Sequence, residues 1–120
     1  MTDLKKVVIA TSDATSSLLV DPGTLSTTSG LPVTFVNQHK GNNIPAELRV
    51  HFPTGVSVET QDGKSLSDGL LLKGNGMETV VLKKSAELKV ASERYSVTVH
   101  WSGSGIQDQV SAPDLVIDDD

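Results

Sequence analysis

Three imidazoles are the first candidates for chemistry in this chain: His39, His51 and His100. Neutral imidazole is the commonest metal ligand, and three of them from separate strands can build a catalytic zinc site. The spacing does not support one. No two histidines stand two or four residues apart, the intervals that place ligands on one face of a strand or helix. His51 and His100 each fall on the polar side of an alternating run, and His39 reads as a loop residue, so all three are expected to be exposed. No metal and no cofactor is expected. Cysteine is absent, which removes thiolate sites, cysteine nucleophiles and disulfides together. Serine and threonine number 25, so a serine near a histidine carries no information. There is no Gly-x-Ser-x-Gly elbow and no phosphate-cradling glycine loop ending in Lys-Ser or Lys-Thr.

The elements that must position these groups are strands. Ala46, Leu48, Val50 and Phe52 alternate with Glu47, Arg49 and His51. Tyr95, Val97, Val99 and Trp101 alternate in the same way with Ser96, Thr98 and His100. A period of two marks strands with one buried face and one wet face. Val33 and Phe35 form a third row, and Val56 and Val58 a fourth. Leu70-Leu71-Leu72 and Val80-Val81-Leu82 are continuous apolar runs, as expected of strands buried on both faces. Residues 83–91 suit an edge strand whose lysines discourage further pairing. Turn chemistry separates the runs at Asp21-Pro22-Gly23, Ser29-Gly30, Gly41-Asn42-Asn43, Pro53-Thr54-Gly55, Asp62-Gly63, Gly74-Asn75-Gly76 and Ser102-Gly103-Ser104-Gly105. Gln61-Asp62-Gly63-Lys64 is the best hairpin candidate.

With 120 residues the chain makes one domain, long enough for a core without staples. Aromatics are limited to Phe35, Phe52, Tyr95 and Trp101, so the core must come from fifteen valines and thirteen leucines. A net charge of −5 argues against nucleic acid and anionic membrane as partners, since both reward clustered cations. The Val7-Val8-Ile9-Ala10 run is too short for a signal-peptide core, and no run approaches a membrane span. A cytoplasmic protein is therefore expected.

Pro22-Gly23-Thr24-Leu25, followed by residues 30–37 and then His39, resembles the opening strands of cupredoxins. That resemblance covers about seventeen residues and implies architecture. Copper in that family also needs a Cys and a second His near the C-terminus, and the matching stretch, 95–106, has no Cys. Copper transport is not implied.

At the other end, Ala112-Pro113-Asp114-Leu115-Val116-Ile117-Asp118-Asp119 resembles the closing signature of the small bacterial DP-EP family. Members are β-sandwiches described as self-cleaving aspartic peptidases that cut an Asp-Pro bond near the C-terminus. In such a cut the Asp carboxylate attacks its own carbonyl carbon at high effective molarity, and the proline nitrogen leaves once protonated. The resemblance makes Ala112-Pro113 the cleavage point and the protein's own tail the substrate. Ala112 stands where the family has Asp, so the intramolecular nucleophile is missing. His100, Asp108 and Asp114 are the candidate assisting groups. Asp21-Pro22, the one true Asp-Pro bond, reads as a turn initiator.

The expected fold is all-β: a two-sheet antiparallel β-sandwich, immunoglobulin-like or cupredoxin-like, of 7–9 strands. One domain covers 1–120, with 112–120 as a processed or flexible tail. Two functions follow. One is a self-processing aspartic peptidase-like hydrolase, inactive as written because of Ala112. The other is a non-catalytic binding or structural module, for which the sandwich is a common scaffold. The sequence fixes no oligomeric state.

Overall fold

The computed structural model describes residues 5–12, 17–21, 23–41, 47–53, 55–66, 69–72, 75–84, 91–101 and 109–118. They form twelve strands: β1 (Lys5–Ser12), β2 (Ser17–Asp21), β3 (Thr24–Thr28), β4 (Pro32–Lys40), β5 (Glu47–His51), β6 (Val56–Thr60), β7 (Leu70–Leu72), β8 (Met77–Lys84), β9 (Ala91–Arg94), β10 (Ser96–His100), β11 (Gln109–Ser111) and β12 (Asp114–Asp118). Hydrogen bonding gives the orders β2-β1-β4-β8-β6, β11-β10-β5-β7 and β3-β12-β9.

These three ladders are two layers. Arg94 pairs with Asp114 and Val97 with Ser111, so one register runs unbroken along both strands. Between those pairs the Tyr95 N–H donates to the Pro113 carbonyl at 3.1 Å, and Pro113 has no N–H with which to return the bond. Residues 91–100 are thus one strand, and 109–118 its partner. The second layer then reads β3, β12 with β11, β9 with β10, β5, β7. The β2–β3 run also changes layer, bending at Gly23, whose carbonyl accepts the Asp114 N–H at 3.0 Å. Twelve segments therefore reduce to nine runs among the described residues, a two-sheet sandwich as expected.

Several expectations need correction. The sandwich is mixed, not purely antiparallel: β1 lies parallel to β4 and β3 parallel to β12. The chain reverses twice between β1 and β4, which returns it in its original direction. Of the Asp21-Pro22-Gly23 turn, Gly23 is where the chain changes layer; Pro22 lies outside the described residues. Leu71 is 50% exposed between buried Leu70 and Leu72, so β7 has one wet face. Residues 112–118 do not form a flexible tail. Leu115 and Ile117 are buried at 1% and 2% exposure, and β12 lies between β3 and β9. Its Asp-Leu-Val-Ile-Asp sequence is a short apolar run with the β-branched Val and Ile that strands favour.

The core holds Val7, Ile9, Val33, Phe35, Leu48, Val50, Val58, Leu82, Tyr95, Val97, Val99 and Trp101, all expected, with Phe52 and Val56 packed partly buried against it. Val20, Leu25, Leu70, Leu72 and Val80 join them. Three of the four aromatics cluster. Phe35 meets Phe52 and Tyr95 edge-on at 5.8 and 6.2 Å, and Phe52 stacks on Tyr95 at 5.8 Å. Such pairs each add about 0.5–1.5 kcal/mol beyond burial.

The Asp62-Gly63 hairpin forms as expected. Gly63 takes φ 88°, and its N–H donates to the Thr60 carbonyl at 2.9 Å. Residues 83 and 84 close β8 and residue 91 opens β9; the remainder of the 83–91 stretch lies outside the described residues. Among the described residues no helix is long and apolar enough to cross a membrane.

Candidate functional site

Of the groups proposed to assist cleavage, Asp114 adjoins 112–113 and His100 lies apart from it. Ala112 is exposed and Pro113 buried. Carrying the hairpin register through 112 sets it opposite Ser96, and Ser96 pairs with His51. His51, across two strand spacings or about 10 Å, is the histidine nearest in register. His100 lies four residues further along β10, about 13 Å from Ser96, opposite Glu47. Asp108 lies outside the described residues. Asp114 adjoins the bond but accepts from Arg94 Nε at 3.3 Å in an exposed ion pair, a geometry that holds little energy.

The histidines occupy three different surroundings. His100 faces the Glu47–Arg49 pair, in which Arg49 Nη2 donates to Glu47 Oε1 at 2.6 Å. That hydrogen bond, then the guanidinium charge, holds the Glu47 carboxyl below its ordinary range, with smaller contributions from His100 and His51. His51 is exposed at the end of β5. It borders a cavity of about 180 Å³ that Phe52, Ser57 and Ser65 also line. His39 departs from expectation. It is the penultimate residue of β4 and half-buried, not a loop residue, because β4 runs through to Lys40 and parity turns residue 39 inward.

His39 belongs to a polar knot at one end of the sandwich. Asn37, 1% exposed, donates from Nδ2 to the Ile9 carbonyl at 2.9 Å and to Thr11 Oγ1 at 3.2 Å. Thr11 Oγ1 lies 2.9 Å from His39 Nδ1. Asn75 completes the knot: its N–H donates to Asn37 Oδ1 at 3.0 Å, and its Oδ1 accepts the His39 N–H at 2.9 Å. Asn75 does this from φ 58°, a left-handed conformation that asparagine tolerates. The His39 ring packs 5.6 Å from the Trp101 ring. His39 Nε2 is buried without a hydrogen-bond partner.

Beside this knot the outer face of the first layer carries a cavity of about 390 Å³. Leu19 pairs with Ala10 and Ala10 with Gln38, forming one row across β2, β1 and β4. Ser12 pairs with Lys40 in the next row. Small Ala10 and Ser12 thus make a floor between the larger Leu19, Gln38 and Lys40, with Asn75 at the margin. None of these was singled out from the sequence. Asn37 left a signal there, as a polar residue in phase with Val33 and Phe35, and Gly74-Asn75-Gly76 read only as a turn.

No family model matches the chain, and no curated protein matches it. Solved structures do. Amicyanin from Paracoccus versutus is similar over 98% of this chain and 84% of its own, with a TM-score of 0.45 at 9% identity. A mutant amicyanin, Cu(I), is similar over 92% and 82%, with a TM-score of 0.41 at 15% identity. The copper-containing nitrite reductase of Thermus scotoductus is similar over 94% of this chain and 30% of its own, with a TM-score of 0.43 at 14% identity. The DP-EP resemblance finds no counterpart among these structures. The residues here do not fit a type 1 copper centre. The chain has no Cys, His39 is the one histidine of its knot, and no three metal-ligating side chains gather among the described residues.

Proposed function

We propose that this protein is a non-catalytic β-sandwich binding module whose ligand face is the outer surface of β2, β1 and β4. The observation that carries this reading is the cavity floored by Ala10 and Ser12. Its volume lies within the range of about 300–1,000 Å³ usual for small-molecule sites. The knot of Asn37, Thr11, His39 and Asn75 supports it from behind. A hydrogen-bonded polar network linking two strands and a turn fixes backbone positions, and rigid elements hold sites better than loops do. The test is ligand-observed NMR with a mixed set of small amphipathic compounds against the native chain and Ala10→Leu. Ala10 is half-exposed on a wet face, so leucine there fills the cavity and spares the core. Binders lost in Ala10→Leu support the module. A set in which nothing binds, or in which binding ignores Ala10→Leu, removes it.

Self-processing is the second reading, and one observation favours it. Ala112 is exposed at the point where Pro113 withholds its half of the ladder bonding, so a side chain at 112 is reachable by water. Ala112→Asp would restore the nucleophile. Cleavage between 112 and 113 in folded protein, seen by intact mass, would establish this reading, with Asp21-Pro22 as the internal control. A full-length product after days at neutral and mildly acidic pH retires it, as does cleavage confined to denatured protein.

A further inference from the structure

The cavity over Ala10 has a chemical character of its own, and from it we infer that the ligand is a small amphipathic carboxylate, its head beside Lys40 and its short alkyl tail along Leu19 and Ala10. This inference rests on the binding-module reading above. Lys40 is the one charged residue among those lining the cavity. It has no ion-pair partner among the described residues, where the pairs are Arg49–Glu47, Lys83–Glu59 and Arg94–Asp114. A cation with no ion-pair partner among the described residues, facing a cavity in a chain of net charge −5, favours an anion there and repels amines.

One ammonium, with the His39 imidazole as the other titratable group of the lining, matches a monoanion. Phosphate esters carry nearly two charges, and their sites gather several cations or a nest of backbone N–H groups, neither of which is present in this lining. Ser12 and Gln38 flank Lys40 on the same face and can donate to a carboxylate oxygen. Opposite them, Leu19 stands 65% exposed. A large side chain left wet beside a cavity gains by covering apolar surface, at about 25 cal/mol per Å². Alanine beneath it leaves room for an alkyl chain where any larger residue would close the floor.

The test is an amide-resolved NMR titration of the full chain with hexanoate, 1-hexanol and hexylamine in parallel. Hexanoate is expected to shift the amides of Ala10, Leu19, Gln38 and Lys40 saturably, with hexanol weaker and hexylamine silent. Lys40→Gln should weaken hexanoate about tenfold, the usual effect of losing one charge-assisted hydrogen bond. Leu19→Ser should weaken hexanoate and hexanol together. Both positions are exposed, and unchanged amide shifts elsewhere will report an intact fold. Hexanol or hexylamine binding as tightly as hexanoate overturns the carboxylate assignment and leaves the module standing. So does a Lys40→Gln variant that binds hexanoate undiminished. No saturable shift on this face with any of the three overturns both.

Discussion

The Tyr95 N–H reaches the Pro113 carbonyl at 3.1 Å, and that single bond joins what hydrogen-bond pattern alone divides into four strands. On its two sides the register is the same. The interruption is chemical, a missing donor on proline, and the ribbon runs straight through it. The two short ladders are consequently one sheet, and that sheet is the second face of the sandwich.

Tyr95 also titrates abnormally. Its side chain is buried, and desolvation of the phenolate pushes its pKa up to about 12. The unfolded chain would ionise near 10. Stability from this group is therefore complete below about pH 10 and is lost as pH rises toward about 12. As the one tyrosine in the chain, it can be followed by phenolate absorbance without interference. Its hydroxyl has no hydrogen-bond partner among the described residues, so Tyr95→Phe should be neutral or stabilising by up to about 1 kcal/mol and should lessen the alkaline loss. A phenolate midpoint near 10 in folded protein would contradict this environment.

Asn37 should be the polar residue the fold tolerates losing least. Asn37→Ala removes the buried bond to the Ile9 carbonyl and the acceptor of the Asn75 N–H, for an expected loss of about 2–4 kcal/mol. Chemical denaturation measures the loss. Hydrogen exchange should show the opening confined first to β1, β4 and the Asn75 turn.

Gly69 and Gly63 share a positive φ, 90° and 88°, but not their surroundings. A Cβ on Gly69 would sit 2.5 Å from the Val50 carbonyl oxygen, whereas one on Gly63 meets nothing within 4 Å. Gly63→Ala should therefore lose about 1 kcal/mol from backbone conformation alone. Gly69→Ala should lose clearly more, because β5 must also move. Equal melting temperatures for the two variants would refute this ordering.

Glu47 depends on Arg49. With the guanidinium removed in Arg49→Gln, the Glu47 midpoint in carboxyl-detected NMR should climb back toward the ordinary value for glutamate. Since the folded carboxyl is held low, its contribution is present above the ordinary glutamate range and disappears as pH falls through the lowered value.

Strand content was legible wherever one side of a run faces water. The rows ending at Phe52 and Trp101 show this, since alternation reports burial directly. Leu70-Leu71-Leu72 misled because three apolar residues carry no period, and Leu71 is wet because it shares the outer face of the layer with Arg49. The parallel pairing of β1 with β4 left no trace in composition, being decided by where the chain turns. His39 was misplaced because the row of Val33 and Phe35 was not carried on past Phe35; Asn37 stays in phase with it and finds its partners inside. The candidate ligand face was the least legible part. It is made of small and ordinary residues, Ala10, Ser12, Leu19 and Gln38, whose meaning comes from strands that the sequence does not show to be neighbours.

The pairing of Thr24 with Asp114, ninety positions later, has a consequence for how the protein comes into being. β3 has neighbours in the second layer only once β12 exists, and β12 is the last strand in the chain order. Contacts so distant along the chain slow folding, because the loop must close before the pairing rewards it. During synthesis β3 therefore spends its early life as an open edge, a template on which another chain's strand could settle. Pairing with β12, seated by the buried Leu115 and Ile117, covers one side of β3, which stays the edge of its layer. For a newly made molecule, the interval between its first strands and its last is when it is most susceptible to joining its neighbours.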